Sequence, residues 1–381
     1  VTLIAVLGVA SIGPVLPLIV KVLEVEPTRV GLLVTVFTLP GVILTPILGV
    51  LADRYGRKPV MVPALVLFGV AGTACAFARS FELLLLLRVL QGVGAAPLGS
   101  LNVTVIGDLF GGRERTRAMG YNASVLSVGT ATYPAVGGVL ASAAWFLPLA
   151  LPILSLPVAL VVALKLPEIP LTRRGRTLST YLREVRGLVW SRRVLALFAA
   201  STAVFILLYG AYITFLPLLL DGRFNASPPL IGAIMSGVSV VTAAVSTQLG
   251  RMAEVVPERR LVTLGFVALA AGAAVIPLLT SLWAMVAPAL LLGFAFATTI
   301  PITQTILAGL APAAHRATIM SLNGMVLRLG QTLGPVVMTA MFSLAGYPAV
   351  YASGAILALA MAAVIHAAVG PPDGNVEHSQ L

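Results

Sequence analysis

Residues 49–58 read Gly49-Val-Leu-Ala-Asp53-Arg54-Tyr-Gly56-Arg57-Lys58, and this short polar stretch separates two long apolar runs. Each run, 30–51 and 60–78, has about 20 residues, enough for a helix that crosses ~30 Å of hydrocarbon. The three cations must stay in water, and the positive-inside bias places them on the cytoplasmic side of a membrane. We expect Gly56 to form the turn and Gly49 to let neighbouring backbones approach closely.

The composition is that of an integral membrane protein. Of the 381 residues, 59% are hydrophobic and only 10% are charged, and the mean hydropathy is +1.04. Soluble domains contain about 25% charged residues. The net charge of +11 does not indicate a nucleic-acid partner, because the cations fall in short loops rather than on one water-facing patch.

Lys and Arg residues are distributed unevenly between the loops. Of the 24, 18 fall in loops on the same side as residues 49–58, four fall in the alternate loops, and Arg88 and Arg328 lie within apolar runs. Cationic loops stay in the cytoplasm. We therefore expect a multi-pass protein of the cell membrane with both chain ends in the cytoplasm.

Apolar runs of spanning length predict twelve helices. We expect an N-terminal six-helix bundle over 1–164, a cytoplasmic linker over 165–193, a C-terminal six-helix bundle over 194–370 and a cytoplasmic tail over 371–381. The linker pattern predicts an amphipathic helix on the inner membrane face, either a simple connector or a regulatory segment. The predicted spans are Val1–Val20, Val30–Leu51, Val60–Ala78, Phe81–Gly107, Ala118–Ala141, Trp145–Leu164, Val194–Leu220, Leu230–Leu249, Leu261–Leu279, Leu282–Leu310, Thr318–Ala345 and Tyr347–Val369.

The two halves of the chain repeat at a constant offset of 201 residues. Asp53 aligns with Glu254, and the other informative pairs are amides and prolines, namely Asn122 with Asn323 and Pro134 with Pro335. Such matches carry more weight than matched glycines in a glycine-rich chain. We infer a duplicated six-helix unit.

Three motifs resemble signatures of the major facilitator superfamily of secondary transporters. Residues 49–58 match its loop signature G-x-L-A-D-R-x-G-R-K, and Arg88-Val-Leu-Gln91-Gly92 resembles its R-x-x-Q-G motif. Residues 129–138 resemble its antiporter signature G-x-x-x-G-P-x-x-G-G, with Tyr133 in place of a glycine. The resemblance implies an all-α integral membrane fold of 12 transmembrane helices in two pseudo-symmetric six-helix bundles, and a carrier rather than an enzyme.

The resemblance also implies a set of residues that control conformation. Asp53 is expected to contact the start of the eleventh helix near Thr318, and Arg57 to pair with Asp108 at the end of the fourth, which would lock the outward-facing state. Prolines and small residues in the fifth and eleventh helices would allow bends and close packing. The full set is Gly49, Asp53, Arg54, Gly56, Arg57, Lys58, Asp108, Gly129, Pro134, Gly137, Gly138, Gly334 and Pro335.

Two arginines within spans point to a central cavity. Arg88 shares a helical face with Gln91 and Asn102, and Arg328 shares one with Gln331. Cations at such depth are expected to face water or a partner. Arg88 could instead extend to the outer interface or pair with Glu82, and Arg328 could make a purely structural bond between helices. The expected cavity residues are Arg88, Gln91, Asn102, Tyr209, Tyr212, Gln304, Asn323, Arg328 and Gln331.

The resemblance implies secondary active transport of a small amphipathic molecule by alternating access, as proton-coupled efflux of the multidrug type, with the binding site between the two halves near the bilayer midplane. None of the thirteen acids is placed at the midplane, which favours neutral or anionic substrates over cations. The alternatives are a transporter of an anionic metabolite and a nontransporting receptor or scaffold. No metal-binding cluster, ATP-binding loop or nucleophile motif is present in the sequence, and we expect no cofactor, a lipid-embedded monomer and protons as the coupling partner.

Overall fold

The structure is a computed structural model that describes residues 1–167, 191–310 and 316–369. Within these ranges every segment of membrane-spanning length is helical. The predicted amphipathic linker helix and the C-terminal tail lie outside the described residues.

Ten helical segments cross the bundle before the last helix, and each is long and apolar enough to span a membrane. We number them α1 to α10 in chain order. Their bounds are Thr2–Val22, Pro27–Tyr55, Arg57–Phe77, Phe81–Leu109, Gly112–Ala143, Leu147–Lys165, Arg192–Phe224, Pro228–Val255, Glu258–Leu278 and Leu282–Leu310.

The last helix, Arg316–Ala368, contains two crossings. Its 53 residues would extend for roughly 80 Å, far more than the ~30 Å hydrocarbon layer. The helix breaks at Ala345 and at Gly346, which has a φ of +66°. We therefore divide it into α11 (316–344) and α12 (347–368). The predicted count of twelve crossings is confirmed for the described part of the chain.

Local sequence explains several helix ends. Gly56 has a φ of +102° and separates α2 from α3, which confirms the predicted glycine turn. The Ser80 hydroxyl accepts a 3.2 Å hydrogen bond from the Leu83 amide and so caps α4. Pro27 and Pro228 stand at the first positions of α2 and α8, where a missing amide hydrogen costs nothing.

The helices form two bundles, α1–α6 and α7–α12, which meet along two long contacts. Helix α2 packs along α11, and α5 packs along α8. The 201-residue offset relates these two contacts, because it converts α2 into α8 and α5 into α11. The end of the bundles that carries Arg54, Arg57 and Lys58 is called the basic face, and the other end the opposite face.

Helices α1 and α7, which begin the two halves, are both irregular. Helix α1 tightens into a 3₁₀ turn at Gly13–Val15, and α7 widens into a π-helix over Leu207–Phe215. Within the π-helix the Thr214 hydroxyl donates a 2.7 Å hydrogen bond to the Tyr209 carbonyl, five residues earlier. The apolar pattern of α7 gave no sign of this widening, which is a feature that often marks functional regions.

Candidate functional site

The bundles touch most closely in the half near the opposite face. A Cβ atom added to Gly138 in α5 would lie 2.3 Å from the Pro228 carbonyl oxygen in α8. A Cβ added to Gly232 in α8 would lie 2.3 Å from the Pro134 carbonyl oxygen in α5. Only glycine permits backbones to approach so closely. These two contacts close the seam between α5 and α8.

The same glycine-to-proline contact recurs between α2 and α11. A Cβ added to Gly31 would lie 3.3 Å from the Pro335 side chain, and the 201-residue offset converts this pair into Gly232 and Pro134. The Thr332 hydroxyl in α11 also donates a 3.0 Å hydrogen bond to the Thr38 hydroxyl in α2. Both seams are therefore closed near the opposite face by related contacts.

Three other predicted small residues pack within their own bundle. A Cβ at Gly137 would lie 2.4 Å from the Ser11 carbonyl oxygen of α1, and one at Gly334 would lie 2.7 Å from the Ile206 carbonyl oxygen of α7. Gly129 lies against Leu3 of α1, at 3.0 Å from an added Cβ. These glycines hold α5 and α11 against the first helix of each half, so their role in conformational change stays a prediction.

An ion pair joins the two bundles at the opposite face. The Lys21 ammonium at the end of α1 lies 2.7 Å from a carboxylate oxygen of Asp221 near the end of α7. The side chains are 59% and 21% exposed, so water screens the pair and its own stability is small. The sequence placed both residues in outer loops but did not indicate that they meet.

The central space is open toward the basic face. A Cβ added to Gly49, Gly120, Gly250 or Gly324 would meet no atom within 4 Å. These four glycines belong to the basic halves of α2, α5, α8 and α11, the helices that form both seams. The close backbone approach predicted at Gly49 is absent from this conformation, in which the seams separate before they reach the basic face.

The loop between α2 and α3 forms an ionic cluster on the basic face. Arg57 donates a 3.0 Å hydrogen bond from Nε to Asp108 at the end of α4, as the motif predicted, and also binds Asp53. Asp53 thus has a partner within its own bundle, and its expected contact near Thr318 at the start of α11 stays a prediction, because the side chain of Thr318 lies outside the described residues. Arg54 lies over the Tyr55 ring, and Lys58 donates to the Leu166 carbonyl. The cluster braces the N-terminal bundle in this state.

Arg88 is enclosed within the N-terminal bundle. It is 2% exposed and donates hydrogen bonds to the Gly8 carbonyl, the Leu33 carbonyl and the Gln91 side chain, at 2.9, 3.3 and 2.9 Å. Its guanidinium carbon lies 4.7 Å from the centre of the Phe37 ring. Glu82, the alternative partner considered from the sequence, lies 3.6 Å from Arg29 instead. These contacts tie α4 to α1 and α2, and a substrate-binding role for Arg88 and Gln91 stays a prediction.

We predict that Arg88→Met lowers thermal stability strongly. The change leaves two buried carbonyls and the Gln91 oxygen without their charged donor, and each hydrogen bond to a charged group contributes about 1.5–3 kcal/mol. The melting temperature of the purified protein in detergent measures the loss. Arg117→Met is the control, because Arg117 is exposed and its Nε donates to the Tyr121 hydroxyl, one turn away on the same helix. Equal melting temperatures for the two variants would contradict the prediction.

Other predicted cavity residues divide into packed and accessible ones. Asn102 is half-buried and donates to the Asn122 oxygen (2.7 Å) and the Thr2 hydroxyl (2.9 Å), which joins α4, α5 and α1. The Tyr212 hydroxyl is used within the C-terminal bundle, where it donates to the Met235 carbonyl at 2.7 Å. Asn323 is 1% exposed, and among the described residues its side-chain oxygen has no hydrogen-bond partner. Gln304 is half-buried in α10.

Arg328 lies where the two bundles meet. It is half-buried, about 18 Å along α11 from the basic face at 1.5 Å per residue. Its Cδ would lie 3.2 Å from a Cβ added to Gly41 in α2, and its guanidinium donates a 3.4 Å hydrogen bond to Gln331. Tyr209 belongs to the part of α7 that packs against α11, where Gly210 and Gly334 approach each other. Unlike Arg88, this arginine spans the seam between the bundles.

Among residues 1–167, 191–310 and 316–369, no group of three or more potential metal ligands comes together. Cys75 is buried in α3, where its thiol donates to the Ala71 carbonyl. The candidate site in the central space consists of arginine, amide, hydroxyl and aromatic side chains.

Two related helical bundles that enclose a space closed at one face and open at the other define a membrane transporter of the two-bundle type. The chain belongs to the Major Facilitator Superfamily, whose family model matches residues 1–223 and 198–380. It is accordingly a transporter and not an enzyme, and a multi-pass protein of the cell membrane.

Individual relatives include exporters. The chain is 36% identical over 155 residues to the bacillibactin exporter of Bacillus subtilis (strain 168), a match that spans 39% of each chain. It is 27% identical over 270 residues to multidrug resistance protein 2 of the same organism, covering 68% of this chain and 67% of that one. The crystal structure of a D-xylose-proton symporter superposes with a TM-score of 0.76 at 17% identity, covering 97% of both chains. That likeness concerns the fold alone.

Proposed function

We propose that this protein exports a small amphipathic molecule across the cytoplasmic membrane by alternating access, driven by the proton gradient. The observation that carries the proposal is the asymmetry of the central space. Paired glycine-to-proline contacts close it near the opposite face, while the same four helices stand apart near the basic face. A carrier in one of its two end states has this form.

The proposed direction of transport is supported by the distribution of the cationic loops and by the similarity to relatives named as exporters. The basic face carries the cationic loops, so the positive-inside bias assigns it to the cytoplasm and the open space faces inward. The relatives named as a bacillibactin exporter and a multidrug resistance protein favour efflux. A single chain supplies both bundles and the space between them, which favours a monomer as the working unit.

An experiment in vesicles tests the proposal. Purified protein is reconstituted in liposomes, a fluorescent amphipathic dye is added, and a pH gradient is imposed across the membrane. We expect dye movement that depends on the protein and stops when a protonophore collapses the gradient. Dye movement that continues at the same rate in the presence of the protonophore would contradict proton coupling. No movement for a chemically diverse set of dyes would favour the nontransporting receptor, although the open central space supports a carrier.

We predict that Asp53→Asn slows transport several-fold without loss of folding. The substitution removes one carboxylate from the Arg57 cluster and the charge that could meet the positive start of α11 when the basic face closes. Initial transport rates in vesicles at matched protein density measure the effect. Glu114→Gln, an exposed acid at the start of α5, is the control. A rate for Asp53→Asn equal to that of wild type and the control would count against a gating role.

A further inference from the structure

Arg328 is a cationic side chain at the seam between α2 and α11, and within the described ranges no acidic side chain pairs with it. Among the described residues no carboxylate oxygen lies within 4 Å of its guanidinium group. The acids in the described ranges stand near helix ends, for example Asp53 and Asp108 at the basic face and Asp221 at the opposite face. A cation at this depth requires a charged partner or water.

The hydrogen-bonding capacity of Arg328 is largely unused. A guanidinium group carries five N–H donors. Within the described part of the chain, its hydrogen bonding is limited to one 3.4 Å contact with the Gln331 oxygen. Arg88 offers the contrast, because the carbonyls of Gly8 and Leu33 engage it from two other helices. Arg328 therefore has donors available to a ligand, whereas Arg88 is enclosed by protein, with only its Nη2 lacking a hydrogen-bond partner among the described residues.

An aromatic surface lies beside the cation. The rings of Phe205 and Tyr209 in α7 are stacked, with centroids 6.0 Å apart and an angle of 26° between planes. The Cβ of Phe205 lies 2.8 Å from a Cβ added to Gly330 of α11, two residues after Arg328, and Tyr209 precedes Gly210, which packs against Gly334 of the same helix. Both rings are half-buried. A cation with free donors next to accessible ring faces fits a ligand that has an anionic head and an aromatic body.

We propose that Arg328 binds the carboxylate, or an equivalent anionic group, of an amphipathic aromatic substrate, with Phe205 and Tyr209 against its apolar part. This inference rests on the proposed function, because the site is the central space of the carrier. The planar guanidinium matches two carboxylate oxygens at once, which lysine cannot do. Since Arg328 also touches α2 at Gly41, an anion held there contacts the seam that must move.

Equilibrium binding to the purified full chain tests the site. The probe is radiolabelled 1-naphthylacetate in a scintillation proximity assay, with unlabelled 1-naphthylacetamide and 1-naphthylethylamine as neutral and cationic competitors of matched shape. We expect the carboxylate to bind at least tenfold more tightly than either competitor. Arg328→Gln should lose that preference, and Arg328→Lys should retain part of it. Arg117→Gln removes an exposed cation elsewhere and should bind like wild type.

The outcomes separate this inference from the proposed function. Equal binding of the three probes, or carboxylate binding that survives Arg328→Gln, would overturn the anion site. If wild type moves neutral and cationic dyes in vesicles but does not bind 1-naphthylacetate, the carrier stands and the anion site falls. If binding depends on Arg328 but no compound moves in vesicles, the site stands and the carrier falls. Should Arg328→Gln fail to fold, the loss of preference is measured between wild type and Arg328→Lys.

Discussion

Joining positions 21 and 221 with a short bifunctional thiol reagent is expected to reduce transport to background. The variant carries Lys21→Cys and Asp221→Cys with Cys75→Ser, which leaves no other cysteine in the chain. Lys21 and Asp221 connect the two bundles at the opposite face, so a covalent link there prevents that face from opening. A carrier that cannot open one face completes no cycle.

The link, rather than the loss of the ion pair, should produce the effect. The two side chains are partly exposed, and such pairs contribute about 0–1 kcal/mol, so the unlinked double variant should still transport. Each single-cysteine variant treated with the same reagent controls for modification. A reducible reagent allows transport to recover after dithiothreitol. Full transport by protein that is demonstrably linked would show that this face need not separate.

Gly138→Ala is expected to shift the protein away from the conformation described here. The added methyl group would lie 2.3 Å from the Pro228 carbonyl oxygen, and the neighbouring atoms are backbone atoms that cannot rotate aside. Overpacking of this kind costs about 1–3 kcal/mol. If the cost falls only on the state closed at the opposite face, the equilibrium between this state and the state open at that face shifts by roughly 5- to 150-fold.

Accessibility measures this shift directly. Ser236→Cys, in a chain with Cys75→Ser, places a thiol in the closed part of the α5–α8 seam, where Ser236 is 9% exposed and accepts from the Ala135 amide. A membrane-impermeant maleimide added from the opposite face should label it faster when Gly138→Ala is present. Gly120→Ala in the same helix meets no atom within 4 Å and is the matched control. Equal labelling of the two backgrounds would show that the contact does not set the equilibrium.

The sequence predicted those features that depend on local patterns. The lengths of the apolar runs predicted the membrane-spanning helices, and the constant offset of 201 residues predicted the duplication. The glycine turn at Gly56 and the contact between Arg57 and Asp108 followed from one motif. In each case the information is contained in nearby residues or in a spacing that the chain repeats, so no knowledge of side-chain packing was needed.

Features that depend on packing or on conformation could not be predicted. Arg88 and Arg328 look alike in the sequence, and only the neighbouring carbonyls distinguish an enclosed cation from one at the seam. Gly49 was expected to have a close neighbour, but a Cβ added there meets no atom within 4 Å in this conformation, and the sequence does not specify which conformation is described. The pairing of Lys21 with Asp221 joins residues 200 positions apart, and no local pattern encodes it.

One glycine-to-proline contact near the opposite face occurs in both seams, whereas Arg328 occurs once, since its counterpart at the 201-residue offset is Ser127. The two halves therefore share elements of the seams, while the cation belongs to one half alone. Substrate recognition can then change at positions that differ between the two halves, without changes in the contacts that join the bundles. Homologues with different cargoes should accordingly differ first at such single positions.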